Sequence, residues 1–306
     1  MGTVAHCEVT GIPGGTDVSA PRSAPTVLQM VLGRRLLDLR KAAGMSSQEA
    51  GARLHIAHTT VIRMEQAKVA LKWATVKALL ELYGVEKPEA EQFLALTVKA
   101  NEPGWWQSYR DALPDWFAVH VSLENAATHI RGYEPHVVPG LFQTPGYARA
   151  VLSLHRPHPT PDELERRVTL RMKRQALLTR TDPPAPQLWA VLDETVLRRP
   201  AGEPAVMRAQ IEHLVETGDL PNVTLQVMPF TAGLHAGAFG PFTLFRFPMT
   251  DFPDIVGTDT LTSAAYTEEK PDVALHREVF DRMSTQAMSH RRTRKYLLDV
   301  RKELNS

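Results

Sequence analysis

The chain has 306 residues, 43% hydrophobic and 23% charged, with a net charge of +1. These values suit a globular protein of about two domains. No apolar run approaches the ~18 residues of a membrane span. The single cysteine, Cys7, excludes an internal disulfide and a thiolate zinc centre. We therefore expect a cytoplasmic protein with no membrane association, no metal and no cofactor.

Residues 1–26, rich in Gly, Pro, Ser and Thr and without an apolar signal core, read as a disordered tail. A helix then runs to Lys41-Ala-Ala-Gly44, with Gly44 as the left-handed residue past its last turn. Ser46 and Glu49 have the spacing of a capping box, so a second helix starts there. His55-Ile-Ala57 turns the chain, with Ile56 as a plug, and a third helix begins near His58. On that helix Val61, Met64 and Glu65 fall inward at three- and four-residue spacing. His58, Thr59, Ile62, Arg63 and Gln66 are left on or beside its outer face. Two short helices around a tight turn form the reading head of a helix-turn-helix, whose partner is double-stranded DNA. From Leu28 to Lys77 nine basic residues stand against three acidic ones, a local +6 that suits a module neutralising phosphates.

Trp73 to Tyr83 reads as a fourth helix, with Trp73, Val76, Leu79, Leu80 and Tyr83 on its inner side and Gly84 stopping it. Pro88 opens a fifth to about Ala100, and Asn101-Glu-Pro-Gly104 breaks the chain. The expected division is 27–100 for the DNA-binding domain and 101–306 for a regulatory and dimerisation domain. This head resembles the xenobiotic-response-element (XRE) family of repressor-like five-helix domains. The likeness rests on Leu32-Gly-Arg-Arg-Leu36, Leu39-Arg40, Ala43-Gly44, Thr60-Val61, Arg63, Glu65, Trp73 and Leu79 to Gly84. It implies that Arg40 and Glu65 pair to hold the helices in register. Where the family favours glycine in the turn the chain has His55, and where it favours a capping serine the chain has Ala57. At two further family glutamines it has Ser47 and His58.

Trp105, Trp106, Tyr109, Trp116 and Phe117 crowd into thirteen residues. We read them as the glue between domains or a dimer contact, the alternative being a ligand cage. Helical periodicity marks Pro145–Leu154, Asp162–Leu178, Pro204–Thr217, Pro271–Ala287 and Arg291–Leu304. Gln187–Leu192, Val223–Met228 and Phe242–Phe247 read as strands, with weaker ones at Asp254–Thr258 and Thr262–Thr267. Short adjacent strands predict a mainly antiparallel sheet with packed helices, so the fold class is α+β. The basic residues Arg166, Arg167, Arg171, Lys173 and Arg174, and the run Ser289–Lys295, read as solvated faces. Asp193-Glu194 reads as a strand-end or salt-bridged acid pair, and His235 as an exposed residue of a glycine-rich loop.

Val138-Pro-Gly-Leu-Phe-Gln-Thr-Pro-Gly-Tyr-Ala-Arg149, Arg171-Met-Lys-Arg-Gln-Ala-Leu-Leu178 and Leu188-Trp-Ala-Val-Leu-Asp-Glu-Thr-Val-Leu-Arg198 carry a second resemblance. Met207–Gln210, Leu220–Val223 and Gly240–Phe242 add to it. The series is similar to the C-terminal domain of actinobacterial antitoxin-like transcriptional regulators. That likeness implies a regulator whose gene adjoins one for a small partner protein. With no nucleophile, metal or phosphate-loop motif in the chain, an enzyme is not expected. The reading is a repressor or antitoxin-like autoregulator, a homodimer on its operator. Ser47, Gln48, His58, Thr59, Thr60, Ile62, Arg63, Lys68 and Lys72 are its DNA-facing residues. The alternative is a sensor whose C-terminal domain binds a small-molecule ligand and gates DNA binding.

Overall fold

The computed structural model describes residues 26–102, 104–109, 115–154, 158–248, 253–260 and 263–304, and the predicted tail with Cys7 lies outside these but for Thr26. The head holds α1 (Val27–Ala42), α2 (Ser47–Arg53), α3 (His58–Glu65), α4 (Trp73–Leu82) and α5 (Lys87–Ala100). Thr26 starts α1 with a capping box closed by Gln29, and Ser46 and Glu49 do the same for α2. Gly44 ends α1 at φ +68°. Leu32, Leu36, Ala50, Val61, Met64 and Leu79 meet in the core of the head.

Trp73 departs from expectation: it is 47% exposed, with the Lys77 ammonium over its ring. The core at that end is filled by Leu71, just before the helix. Asn101 holds Leu71 there by accepting from its N–H at 3.1 Å and donating to its carbonyl at 2.7 Å.

Gly33 on α1 is a contact point of the head. A β-carbon there would lie 2.7 Å from the Glu65 carbonyl oxygen and 2.8 Å from that of Met64. Alanine in a helix interior normally gains about 0.5–1 kcal/mol over glycine. Gly33→Ala should instead destabilise the protein by about 1–3 kcal/mol, because backbone atoms of α3 must retreat. Chemical denaturation decides the sign, and a stabilised variant would refute the contact.

The C-terminal part contains α6 (Asp115–Ala126), β1 (His129–Glu134), α7 (Pro145–Leu152), α8 (Pro161–Arg174), β2 (Gln187–Asp193), α9 (Glu194–Arg198) and α10 (Pro204–Gly218). They are followed by β3 (Val223–Met228), β4 (Phe242–Arg246), β5 (Ile255–Asp259), β6 (Ala264–Thr267), α11 (Lys270–Gln286) and α12 (His290–Glu303). The strands form one sheet in the order β3-β2-β1-β4-β5-β6. The α+β class holds, with three antiparallel ladders of five. The β1–β2–β3 half is parallel. Residues 135–186 and 194–222 provide the long helical crossovers that parallel neighbours need.

Alternation along the strands separates two cores. Ile130, Leu188, Ala190, Leu192 and Phe245 face the main core with α6, α10 and α12. Tyr133, Val191, Phe242, Leu244 and Val256 face the opposite side, covered by Val273, Phe280 and Met283 of α11.

Helix α1 belongs to both parts. Val27, Met30 and Val31 pack on the core of the C-terminal part, whereas Leu32 and Leu36 are buried in the head. The Val27 N–H donates to Ser122 Oγ of α6 at 2.8 Å, and Arg34 pairs with Glu268 at 2.9 Å.

Candidate functional site

Two surfaces stand out, one in each half of the chain. In the head, α2 and α3 flank a turn whose His55 has φ +53°. Left-handed backbone costs a residue with a β-carbon about 1–2 kcal/mol. His55→Gly should therefore raise stability by about 1 kcal/mol. An unchanged or lower denaturation midpoint would refute this strain. Ala57 starts α3 without a side-chain cap, in keeping with the missing serine. Ile56 packs, half-buried, against the core of the head.

Arg40 and Glu65 form the expected pair. Arg40 Nε and Nη2 donate to the two carboxylate oxygens at 2.6 and 2.9 Å, and its Nη1 donates to the Met45 carbonyl at 2.8 Å. One guanidinium thus ties α1, the α1–α2 turn and α3. Hydrogen bonding to Glu65 raises the Arg40 pKa against the opposing effect of burial.

On α3, His58, Thr59 and Arg63 are exposed, and Thr60 and Ile62 are half-buried. Ser47 is half-buried and Gln48 exposed in the first turn of α2, and Lys68 and Lys72 are exposed after α3. Much of the head's positive charge is spent internally: Arg34 on Glu268, Arg35 on Glu89 and Arg40 on Glu65. Among the described residues, Arg63, Lys68 and Lys72 have no carboxylate within ion-pair distance, so the uncompensated charge gathers around α3.

The second surface is a cavity of about 360 Å³ in the C-terminal part. Its walls come from β1, α6, α8 and the Val138–Gln143 segment. Gln210 fastens that segment, accepting from Thr144 N–H at 2.8 Å and donating to the Phe142 carbonyl at 2.7 Å. Arg167, Arg171 and Arg174 of α8 reach the cavity, which corrects their reading as a solvated face. Arg174 is 5% exposed and donates twice to Glu124 of α6, at 2.9 and 2.6 Å. His120, one turn before Glu124, lies 3.1 Å from the same carboxylate. Burial pushes the Glu124 carboxyl up, but the charges and hydrogen bonds of Arg174 and His120 outweigh it and hold it at about 2.

Arg171 is different. Its Nη1 donates to Gln143 Oε1 at 2.8 Å, and no carboxylate among the described residues lies within ion-pair distance. Burial, and then the charge of Arg174, push its pKa down to about 9. Arg167 Nε and His120 Nδ1 are buried without a hydrogen-bond partner. Across the cavity, burial, with a smaller contribution from Asp259, pushes Glu134 up to about 7 against the backbone N–H groups of His136 and Val137.

A family model for a helix-turn-helix domain matches residues 31–93. A second, for a domain of unknown function (DUF5753), matches residues 117–299, more than half of the chain. The chain belongs to the DUF5753 family. No curated protein and no solved structure matches it. The DUF5753 domain follows a DNA-binding helix-turn-helix head, and the protein is a DNA-binding regulator in general terms. Among the described residues no helix is long and apolar enough to cross a membrane.

Other expectations for the DUF5753 domain meet mixed outcomes. Asp193 caps α9 through Thr195 N–H at 2.8 Å, and Glu194 accepts from the Tyr296 hydroxyl and Phe230 N–H at 2.5 and 2.9 Å. Both acids thus sit at the end of β2 with hydrogen-bond partners, and Glu194 is also ion-paired with Arg198. His235, expected to be exposed, is not: its side chain is 11% exposed, edge-on to Tyr133 and 3.7 Å from Asp193. Its Nδ1 accepts from Gly237 N–H, and this bond turns the ring inward.

The basic run near the C-terminus is partly engaged, since Thr293 is buried and Arg294 pairs with Asp219. Among the described residues, the buried packing of the aromatic cluster lies within the C-terminal part. Trp106 is buried against Ala118, Val121 and Leu170. Phe117 lines the cavity beneath the Arg174 guanidinium. The side chain of Trp116 lies outside the described residues.

Sequence reasoning missed the cavity, although α8 held a signal. Arg167, Arg171 and Arg174 occupy the three- and four-residue row that starts at the apolar Leu164 and resumes at Leu178, where a core helix would carry leucines. The segments 138–149 and 171–178, which carry the family resemblance, both contribute to its lining.

Proposed function

We propose that this DUF5753 protein is a sequence-specific transcriptional regulator of the XRE type, a repressor or antitoxin-like autoregulator, that reads the major groove with α3. The observation that carries this reading is the outer face of α3, flanked by uncompensated Arg63, Lys68 and Lys72 on a helix-turn-helix scaffold. Arg63 reaches a guanine edge or a phosphate, and Thr59 and Thr60 take phosphate oxygens or a thymine methyl. His58 and Ile62 flank them on α3. Lys68 and Lys72 hold the DNA backbone, with Ser47 and Gln48 at the start of α2. One such module binds weakly, so the working form is a homodimer on a two-fold operator, joined through the DUF5753 domain. A small partner protein belongs to the antitoxin-like version of this reading. No catalytic role is assigned.

A second reading, favoured by the cavity, is that a small molecule in the DUF5753 domain gates DNA binding. Helix α6 is placed for this. His120 and Glu124 face the cavity, and Ser122 between them holds the first N–H of α1.

Fluorescence polarisation on the protein's own upstream DNA, against a scrambled duplex and across a salt series, tests the main reading. Selective, salt-dependent binding is expected. Arg63→Ala should weaken it by roughly tenfold, in line with about 1–3 kcal/mol for a lost base contact. Equal binding to both duplexes, or an indifferent Arg63→Ala, would remove α3 as the reading helix.

A further inference from the structure

We infer that the cavity of the DUF5753 domain is the binding site for a small organic monoanion, a carboxylate on an apolar body, with Arg171 as its counter-charge. The inference rests on the ligand-gated reading above and names the class of ligand.

The charge pattern of the cavity leads there. A buried guanidinium is costly unless it is both paired and hydrogen-bonded. Arg174 meets that condition through Glu124. Arg171, one turn earlier on the same helix and half-buried, is given only the neutral amide oxygen of Gln143. Two further donors nearby, Arg167 Nε and His120 Nδ1, are buried and unanswered. A guanidinium fork with spare N–H groups matches the two oxygens of a carboxylate.

The ligand should carry one negative charge rather than two. Arg171 is the cation without a carboxylate of its own: Glu124 acts on it only from a distance while paired with Arg174, and Arg167 feels Glu163 one turn back. The far wall presents the acidic groups Glu134 and Asp259 and no cation, so a second negative charge would find no counter-charge there.

Much of the remaining wall is apolar, with Phe117, Ile130, Leu141, Phe142, Val151 and Leu170 beside the polar Thr243 and Thr260. That wall favours an organic body over an inorganic ion. A volume of about 360 Å³ suits a small molecule. Gly132 supplies part of the room. It lies between Ile130 and Glu134 on one face of β1, and a β-carbon there would meet nothing closer than 3.6 Å. The β-carbon of a valine is therefore accommodated, and its branches would take up room on the face that lines the cavity.

The test uses the full chain, with calorimetric titration and thermal unfolding. The probes are phenylacetate, 4-phenylbutyrate and octanoate, each beside its primary amide, with inorganic phosphate as a further arm. We expect at least one carboxylate to bind at roughly millimolar concentration or below and to raise Tm. It should bind at least about tenfold more tightly than its amide. Arg171→Gln should remove that preference and Gly132→Val should abolish binding. Should Arg171→Gln fail to fold, the carboxylate-amide comparison on the unaltered protein and Gly132→Val still decide.

No binding by any carboxylate, equal binding of acid and amide, or a phosphate response matching the carboxylates would overturn the assignment. Operator polarisation with the same probes separates the two levels. An amide that releases DNA as well as its acid leaves the sensor standing without the anion site. An acid that binds without altering operator affinity leaves the anion site standing without the gate.

Discussion

Replacing Glu124 by alanine should cost about 3–5 kcal/mol of stability, because it leaves the Arg174 guanidinium buried without a counter-charge. Glu124 and Arg174 are 5% exposed each and joined by two hydrogen bonds. The cost lies in the orphaned charge rather than in lost volume. The double variant Glu124→Leu with Arg174→Met should therefore recover much of the loss, since apolar replacements of similar size remove both charges. Chemical denaturation of the two variants decides this, and a double variant less stable than Glu124→Ala would refute it.

The same pair sets an acid limit. Its carboxyl titrates near 2 in the folded protein against an ordinary value of 4.5. The folded state therefore binds that proton less readily than the unfolded chain. The stabilisation is complete above about pH 4.5 and is lost as pH falls from there toward 2. Glu124→Gln should flatten the stability profile in that window.

Glu65→Ala should cost about 3 kcal/mol and abolish selective operator binding together. The cost stays at the low end for a broken ion pair because Arg40, 12% exposed at its side chain, can turn toward water. The loss of DNA binding follows from geometry. Arg40 holds the carboxylate of α3 and the Met45 carbonyl at once, so without Glu65 the reading helix loses its fixed orientation to α1. Denaturation combined with polarisation checks both halves. A folded Glu65→Ala protein with undiminished operator selectivity would show that the pair does not orient α3.

The head was legible because its signals are local. Capping boxes, Gly44 and the inward spacing of Val61, Met64 and Glu65 are decided within a turn or two of chain, and the Arg40–Glu65 pair came through family resemblance. Trp73 failed because its burial depends on Asn101, about thirty residues away, holding Leu71 in the place it was expected to fill. In the DUF5753 domain the later strands were readable from alternation. β1 was not: His129-Ile-Arg-Gly-Tyr-Glu134 offers only two apolar side chains, although it lies at the centre of the sheet. Its faint signal and the hollow beside its face share a cause, since Gly132 and Glu134 are part of the cavity lining. The arginines of α8 misled for a similar reason. Charge on a helix suggests solvent, and only the carboxylate of Glu124, fifty residues away, reveals that Arg174 is inside.

The sharing of α1 sets a rule for building chimaeras. Exchanging the DNA-reading head between regulators of this kind by cutting ahead of α1 would carry off Val27, Met30 and Val31, side chains that complete the core of the DUF5753 domain. The graft point that keeps both cores whole falls inside the helix, between Val31 and Leu32. A recombinant made there inherits its first turn from the parent of the DUF5753 domain and the remainder of α1 from the parent of the head.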